Sequence, residues 1–237
     1  MVLENKFGTC DSMELAHVDE WISKAKARQL FETGLLGTFE VGTFSGLSKI
    51  HQFLFDEIYD SAGKMRTINL TKGGTRFVSV LYLQSALESI SQMPQSNFNQ
   101  IVEKYVEMNV AHPFREGNGR STRIWLNAIL QRELRQVIDW SMINKEDYLL
   151  AMERSLVRDL EIKTLLKAAL TDQIRNREVY MRGIDASYSY GGYSTYNAAG
   201  FLSSNSVFQR FIEPEAQERY EMEESPTDCR ASGSNLL

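Results

Sequence analysis

From about residue 11 to residue 186 the apolar positions recur at intervals of three and four. Leu30, Phe31 and Leu35 form one such group, and Ile50, Phe53, Leu54 and Ile58 form the next. Leu81, Leu83, Leu87 and Ile90 follow, then Ile101, Tyr105, Val106 and Met108. Two more groups are Ile124, Trp125, Ala128 and Ile129, and Leu160, Leu165, Leu166 and Leu170. This spacing puts each group on one face of an α-helix, so the chain is predicted to be a succession of helices. Pro94 and Pro113 are the two prolines in that span. Asn144 followed by Asp147 predicts a helix start, because a side-chain oxygen at the first position accepts from the free amides of the opening turn. No repeat of fixed period is visible.

The helical rhythm fails between Met65 and Val80. Thr67, Ile68, Thr71, Thr75, Phe77, Val78 and Val80 surround Lys72-Gly73-Gly74. β-branched residues on either side of a glycine pair predict a short hairpin. Its open edge would accept an extended peptide as an added strand. After residue 186 the composition shifts again. Ser187 to Tyr196 is rich in Ser, Tyr and Gly, Glu213 to Glu224 is acidic around Pro214, and the residues from Ser225 onward are mostly small or polar. Residues 205–237 are read as a weakly ordered or separately folding tail, with a short helix from Glu215 to Glu223.

The chain has 237 residues, enough to bury one sizeable core at ~100–200 residues per domain. Its formal net charge of -5 argues against a nucleic-acid-binding surface, so any anion site must be local. Cys10 and Cys229 have no metal or redox spacing and are read as free thiols in a reducing compartment. There is no basic, apolar leader at the N-terminus and no apolar run of the ~20 residues a membrane span needs. These observations together give the expectation of a cytoplasmic protein without membrane contact or direct nucleic-acid binding.

Candidate chemistry concentrates between Asn109 and Arg123. Pro113 forces His112 out of the helical region and ends the preceding helix. Gly117-Asn118-Gly119 makes a tight loop without obstructing side chains, and a new helix opens at about Asn118, which can cap it. A glycine-rich loop opening a helix is the physical recipe for a phosphate site. Arg120 and Arg123 share one face of the first turns, where the helix dipole disfavours cations by ~0.3–1 kcal/mol. Placing two cations there makes sense if a polyanion is bound. Glu116 could carry a divalent metal that bridges the anion's oxygens, and His112 is suited to take a proton near neutral pH.

The stretch His112-Pro-Phe-Arg-Glu-Gly-Asn-Gly-Arg-Ser-Thr-Arg123 resembles the signature of the Fic family, H-x-F-x-(D/E)-G-N-G-R-x-x-R, at every fixed position. The resemblance covers about residues 25–196. It implies an all-α, Fic-like helical bundle with a short β-hairpin flap at 66–80. It further implies AMP transfer from ATP to a Tyr, Ser or Thr hydroxyl of a target protein. In that scheme His112 is the general base, Glu116 holds Mg²⁺, and Gly117, Asn118 and Gly119 form the anion hole. Arg120 balances charge on the departing pyrophosphate, and Arg123 reaches the γ-phosphate. Asn109 and Ser121 join the nucleotide-facing set, and Phe114 anchors the loop in the core. Lys72, Gly73 and their neighbours clamp the target along the 72–80 flap. The implied layout is an N-terminal arm at 1–24, a catalytic core at 25–186, a regulatory segment at 187–204 and the tail at 205–237.

Short Fic proteins often end in an inhibitory helix of pattern (S/T)-x-x-x-E-(G/N), whose glutamate pairs with the second arginine of the signature. Here Ser187 and Gly192 fit, whereas the glutamate position is Gly191. The resemblance then implies an enzyme without its brake and constitutively active. Tyr188, Tyr190 and Tyr193 lie beside this element as candidates for self-modification. The target implied is another protein, with topoisomerase-type ATPases as one class, and self-association is compatible with the pattern. Two other readings remain at this stage. One is a Fic-fold transferase of another phosphate-containing group, or an enzyme that removes AMP; the other is a catalytically silent, nucleotide-sensing binding module.

Overall fold

The computed structural model describes residues 2–72 and 75–191, with backbone only at 72, 75 and 189–191. The expected tail at 205–237 and its helix therefore lie outside the described residues. The chain forms α1 (Ser12–Glu32), α2 (Phe44–Phe55), the hairpin strands β1 (Thr71–Lys72) and β2 (Thr75–Arg76), and α3 (Val80–Gln92). Next come α4 (Phe98–Ala111), α5 (Asn118–Leu134), β3 (Val137–Ile138), α6 (Lys145–Arg154), α7 (Leu160–Ala168), β4 (Leu170–Thr171) and α8 (Arg177–Gly191). Both strand pairs are antiparallel: Thr71 faces Arg76 in the hairpin, and Val137 faces Thr171 in the second pair. The all-helical expectation with a hairpin flap holds, and β3–β4 is an addition to it.

The helix starts follow from local chemistry. Asp11 accepts from the amides of Met13 and Glu14 to open α1, and Asn97 accepts from Gln100 to open α4. Asn144 accepts from Glu146 and Asp147, as its sequence context predicts. The centre of the fold is α5, which packs against α2, α4 and α8. Trp125, Leu126, Ile129 and Leu130 on it are fully buried beside Leu47, Phe55 and Tyr105. Truncating an aromatic in such a core costs about 3–5 kcal/mol. This packing fixes the first turn of α5, and with it the loop that precedes it.

Several sequence expectations need correction. Leu81 is 83% exposed and Leu160 is 52% exposed, because each sits at the opening of its helix on a face that none of the described residues covers. Leu170 lies in β4 rather than in a helix, since α7 stops at Ala168. The expected boundary between residues 24 and 25 falls inside α1, which packs on both α2 and α8. Cys10 is not a free thiol, and no described cysteine is. Spacing along the chain informs chelation but not whether a thiol meets a partner in space. Among the described residues no helix is long and apolar enough to cross a membrane.

Candidate active site

α4 ends at Ala111, and His112 takes a left-handed backbone conformation with φ 48° and ψ 62°. Few non-glycine residues adopt this geometry, and it swings the His112 ring out of the helix line. Its Nδ1 lies 3.3 Å from the Asn109 carbonyl. If Nδ1–H donates there, Nε2 is the basic nitrogen. Phe114 is fully buried and stacks on Phe44 and His51, so the loop hangs from the core. Gly117 has φ 75°, and a Cβ there would come within 2.5 Å of the Phe55 ring. Only glycine suits both demands.

The expected cap at Asn118 is replaced by a different device. Gly117 occupies the N-cap position and no side chain caps α5. The Asn118 side chain instead accepts from the Phe114 amide and donates to the Phe114 carbonyl, both at 2.8 Å. Asn118 thus staples the loop closed, and no side chain caps the opening amides of α5. They face a cavity of 630 Å³ lined by His112, Glu116, Gly119, Arg120, Arg123 and Asn109 among others. Glu116 is exposed at the cavity, with Oε1 accepting from the Gly117 amide at 2.9 Å.

The two arginines diverge. Arg120 is paired through both Nη atoms with the carboxylate of Asp19 on α1. Its guanidinium lies 4.6 Å from the centre of the Phe55 ring and 5.1 Å from that of Tyr188. Arg123 donates from Nε to the Ser187 hydroxyl at 2.6 Å and from Nη2 to the Ser187 carbonyl at 3.0 Å. It also lies over the rings of Trp140 and Tyr148.

Four residues that no motif singled out complete the arrangement. Asp19 is buried and also accepts from the Tyr59 hydroxyl at 2.8 Å. His51 takes the Gly63 amide on Nδ1 at 2.9 Å, so its proton sits on Nε2 and is donated to the Glu116 carbonyl at 2.8 Å. Burial lowers the His51 pKa to about 4, which keeps it neutral in this role. Arg66 is buried and donates to backbone carbonyls at the end of α4 and at the base of the hairpin. Phe77, at the foot of β2, stacks on the His112 ring at 3.8 Å with an 11° tilt. For Asp19 and His51 the sequence signal was an oddity, a charged or polar residue at a position that helical spacing assigns to the core; Arg66 and Phe77 carried no such signal.

Other expected site residues fare differently. Ser121 is fully buried and donates to the carbonyls of Gly117 and Asn118 within α5, so its hydroxyl does not reach the cavity. Asn109 does line the cavity, while its Nδ2 donates back to the Tyr105 carbonyl. Lys72 is described in its strand backbone only, and Gly73 lies outside the described residues. Tyr188 is buried, with its hydroxyl on Ser23 and its pKa pushed up to about 12 by burial. It is not accessible for self-modification while α8 is docked. Gly191 is the last residue of α8. The side chain of Tyr190, and Gly192 and Tyr193 altogether, fall outside the described residues.

The Fic/DOC family model matches residues 43–130. The protein adenylyltransferase VbhT of Bartonella schoenbuchensis is 29% identical over 192 residues, which is 75% of this chain and 39% of that protein. The chain thus spans well under half the length of that relative. A second relative, "Probable protein adenylyltransferase y4lH" of Sinorhizobium fredii, is 28% identical over 171 residues, 67% of this chain and 85% of its own length. Among solved structures, the BepC effector of Bartonella tribocorum with bound AMPPNP superposes with a TM-score of 0.61 at 19% identity, covering 72% of this chain and 93% of that one. The Fic domain of a Bep effector from Bartonella quintana with bound ADP gives 0.62 at 21% identity, over 72% and 91%. Both share the fold. The stretch that the Fic/DOC family model matches contains the complete signature, and this chain is similar to the members of that family in sequence and in fold.

Proposed function

We propose that this chain transfers AMP from ATP to a Tyr, Ser or Thr hydroxyl of a protein whose segment adds to the edge of the β1–β2 hairpin. The observation that carries the reading is the uncapped start of α5 opening into the same cavity as His112, Arg120 and Arg123. Adenylyltransferases among the relatives and nucleotide-bound structures of the same fold support it.

In this reaction the target oxygen attacks the α-phosphorus in line with the bond to the bridging oxygen of the β-phosphate. That bond breaks, pyrophosphate leaves, and the hydroxyl proton passes to Nε2 of His112. The amides of Asn118 and Gly119 receive the charge that develops on the phosphate oxygens, and Arg120 and Arg123 offset the charge of the leaving group. Glu116 would hold Mg²⁺. One exposed carboxylate fits an ion that takes its other ligands from phosphates and water, and the described residues offer no larger cluster of metal ligands. The ion would supply charge neutralisation between the phosphates.

We further propose that the activity is unrestrained. Ser187 of α8 already sits on Arg123, and position 191 is one helical turn further along the same face. A carboxylate there would compete for Arg123, and Gly191 provides none.

The test uses ATP labelled at the α- or the γ-phosphate, incubated with the full chain and a cell lysate. AMP transfer puts the α label, and not the γ label, on protein. Transfer of the γ label would establish phosphoryl transfer instead, and no transfer with either label would leave a binding module.

A further inference from the structure

The hairpin and the base occupy separate stretches of chain, and one buried side chain joins them. Arg66 is 3% exposed, and among the described residues no carboxylate lies within ion-pair distance of it. Its guanidinium is satisfied by carbonyls instead. Nε donates to His112 at 2.8 Å, Nη1 donates to Ile68 at 2.7 Å, and Nη2 donates to both Val78 and Ala111. Its own amide donates to the Pro113 carbonyl at 2.8 Å. Ile68 and Val78 lie on the two limbs of the hairpin, and Ala111 and His112 form the turn that aims the base. A buried cation without a counter-charge is unfavourable unless its donors find acceptors, and four of the five guanidinium N–H groups do so here. The planar fork of arginine can bridge these acceptors, whereas the compact ammonium of lysine cannot span them.

We propose that Arg66 is a positioning residue that locks both limbs of the hairpin and the left-handed turn at His112 into one unit. A target strand added to the hairpin is thereby delivered in register with the base. The stacking of Phe77 on the imidazole carries the same coupling from the hairpin side. The inference rests on the AMP-transfer reading for its consequence, but its physical content can be measured without any transfer.

In the wild-type chain, the Arg66 Nε proton and the amides of residues 76–78 are expected to show the same protection, each relative to its own unprotected exchange rate, through one shared opening. Protection factors differing more than tenfold would overturn the proposal. In Arg66→Lys, the His112 Cε1 resonance is expected to shift or broaden and the hairpin amides to exchange at least tenfold faster, with AMPPNP affinity held within threefold. AMP incorporation at saturating ATP should fall at least 30-fold with the KM for ATP little changed. A variant with wild-type His112 signal and hairpin exchange would overturn the proposal. If Arg66→Lys does not fold, the wild-type exchange measurement decides alone. Absence of α-label transfer by the wild type would sink the AMP-transfer reading and leave these measurements intact.

Discussion

Arg120 and Arg123 leave α5 from the same opening turns, yet they rest on different terms. Arg120 is held by a full negative charge, Asp19 on α1, inside a sandwich of Phe55 and Tyr188. Among the described residues, Arg123 is held on α8 by the hydroxyl and carbonyl of Ser187. Breaking a buried ion pair by removing one member costs about 3–5 kcal/mol. A hydrogen bond between a charged and a neutral group contributes only about 1.5–3 kcal/mol. On the AMP-transfer reading, Arg120 would act from where it stands, and Arg123 would be the arginine that exchanges Ser187 for a phosphate.

The comparison would break most visibly in stability. Arg120→Ala leaves Asp19 buried without its partner and should lower the unfolding free energy by about 3–5 kcal/mol, against about 1–3 kcal/mol for Arg123→Ala. Equal losses in urea titrations would remove the distinction. Activity should run the other way: Arg123→Ala, still folded, should lose about 10²–10³-fold in AMP incorporation, as when a transition-state donor is removed. A rate within threefold of wild type would mean that Arg123 does not touch the nucleotide.

Acid sensitivity sharpens the comparison by separating it from a third group. His51 titrates near 4 folded and near 6.5 unfolded, so between those values the unfolded chain binds more protons. Stability is fully present above about pH 6.5 and should decline by about 3 kcal/mol as pH falls toward 4. Urea midpoints for wild type and His51→Gln across that window should converge at low pH; parallel curves would assign the acid loss elsewhere. Gly191→Glu makes the Arg123 side resemble the Arg120 side and should reduce labelling at least tenfold, equivalent to about 1.4 kcal/mol. Unchanged labelling would refute the missing-brake reading. Ser187→Ala, the mildest change, should tighten ATP binding by a few-fold, read by calorimetry; weaker binding would show that Ser187 serves the nucleotide rather than competing with it.

The loop between α4 and α5 was legible as a candidate site because its residues are contiguous: proline, glycines, acid and arginines follow one another within a single loop and helix start. The hairpin was legible from Gly73-Gly74 between β-branched residues, and the start of α6 from Asn144. The supporting residues were not. Asp19 lies 101 positions from Arg120, His51 lies 65 from Glu116, and Arg66 lies 46 from His112. Each has an ordinary local place in a helix or loop, and only tertiary packing gives it a partner. Asn118 shows the complementary difficulty. Its residue type fits a cap, but the backbone puts Gly117 there and turns the amide side chain onto Phe114. Strands of two residues such as β3 and β4 are too short for alternation to register.

The position of Trp140 has a practical consequence. This indole is 2% exposed and lies 5.8 Å from the Arg123 guanidinium, edge-on to Tyr148. An arginine that trades Ser187 for a phosphate changes the electric field at that ring. On the AMP-transfer reading, the emission of Trp140, seen above that of Trp21 and Trp125, should change on nucleotide entry and follow it in real time without a dye.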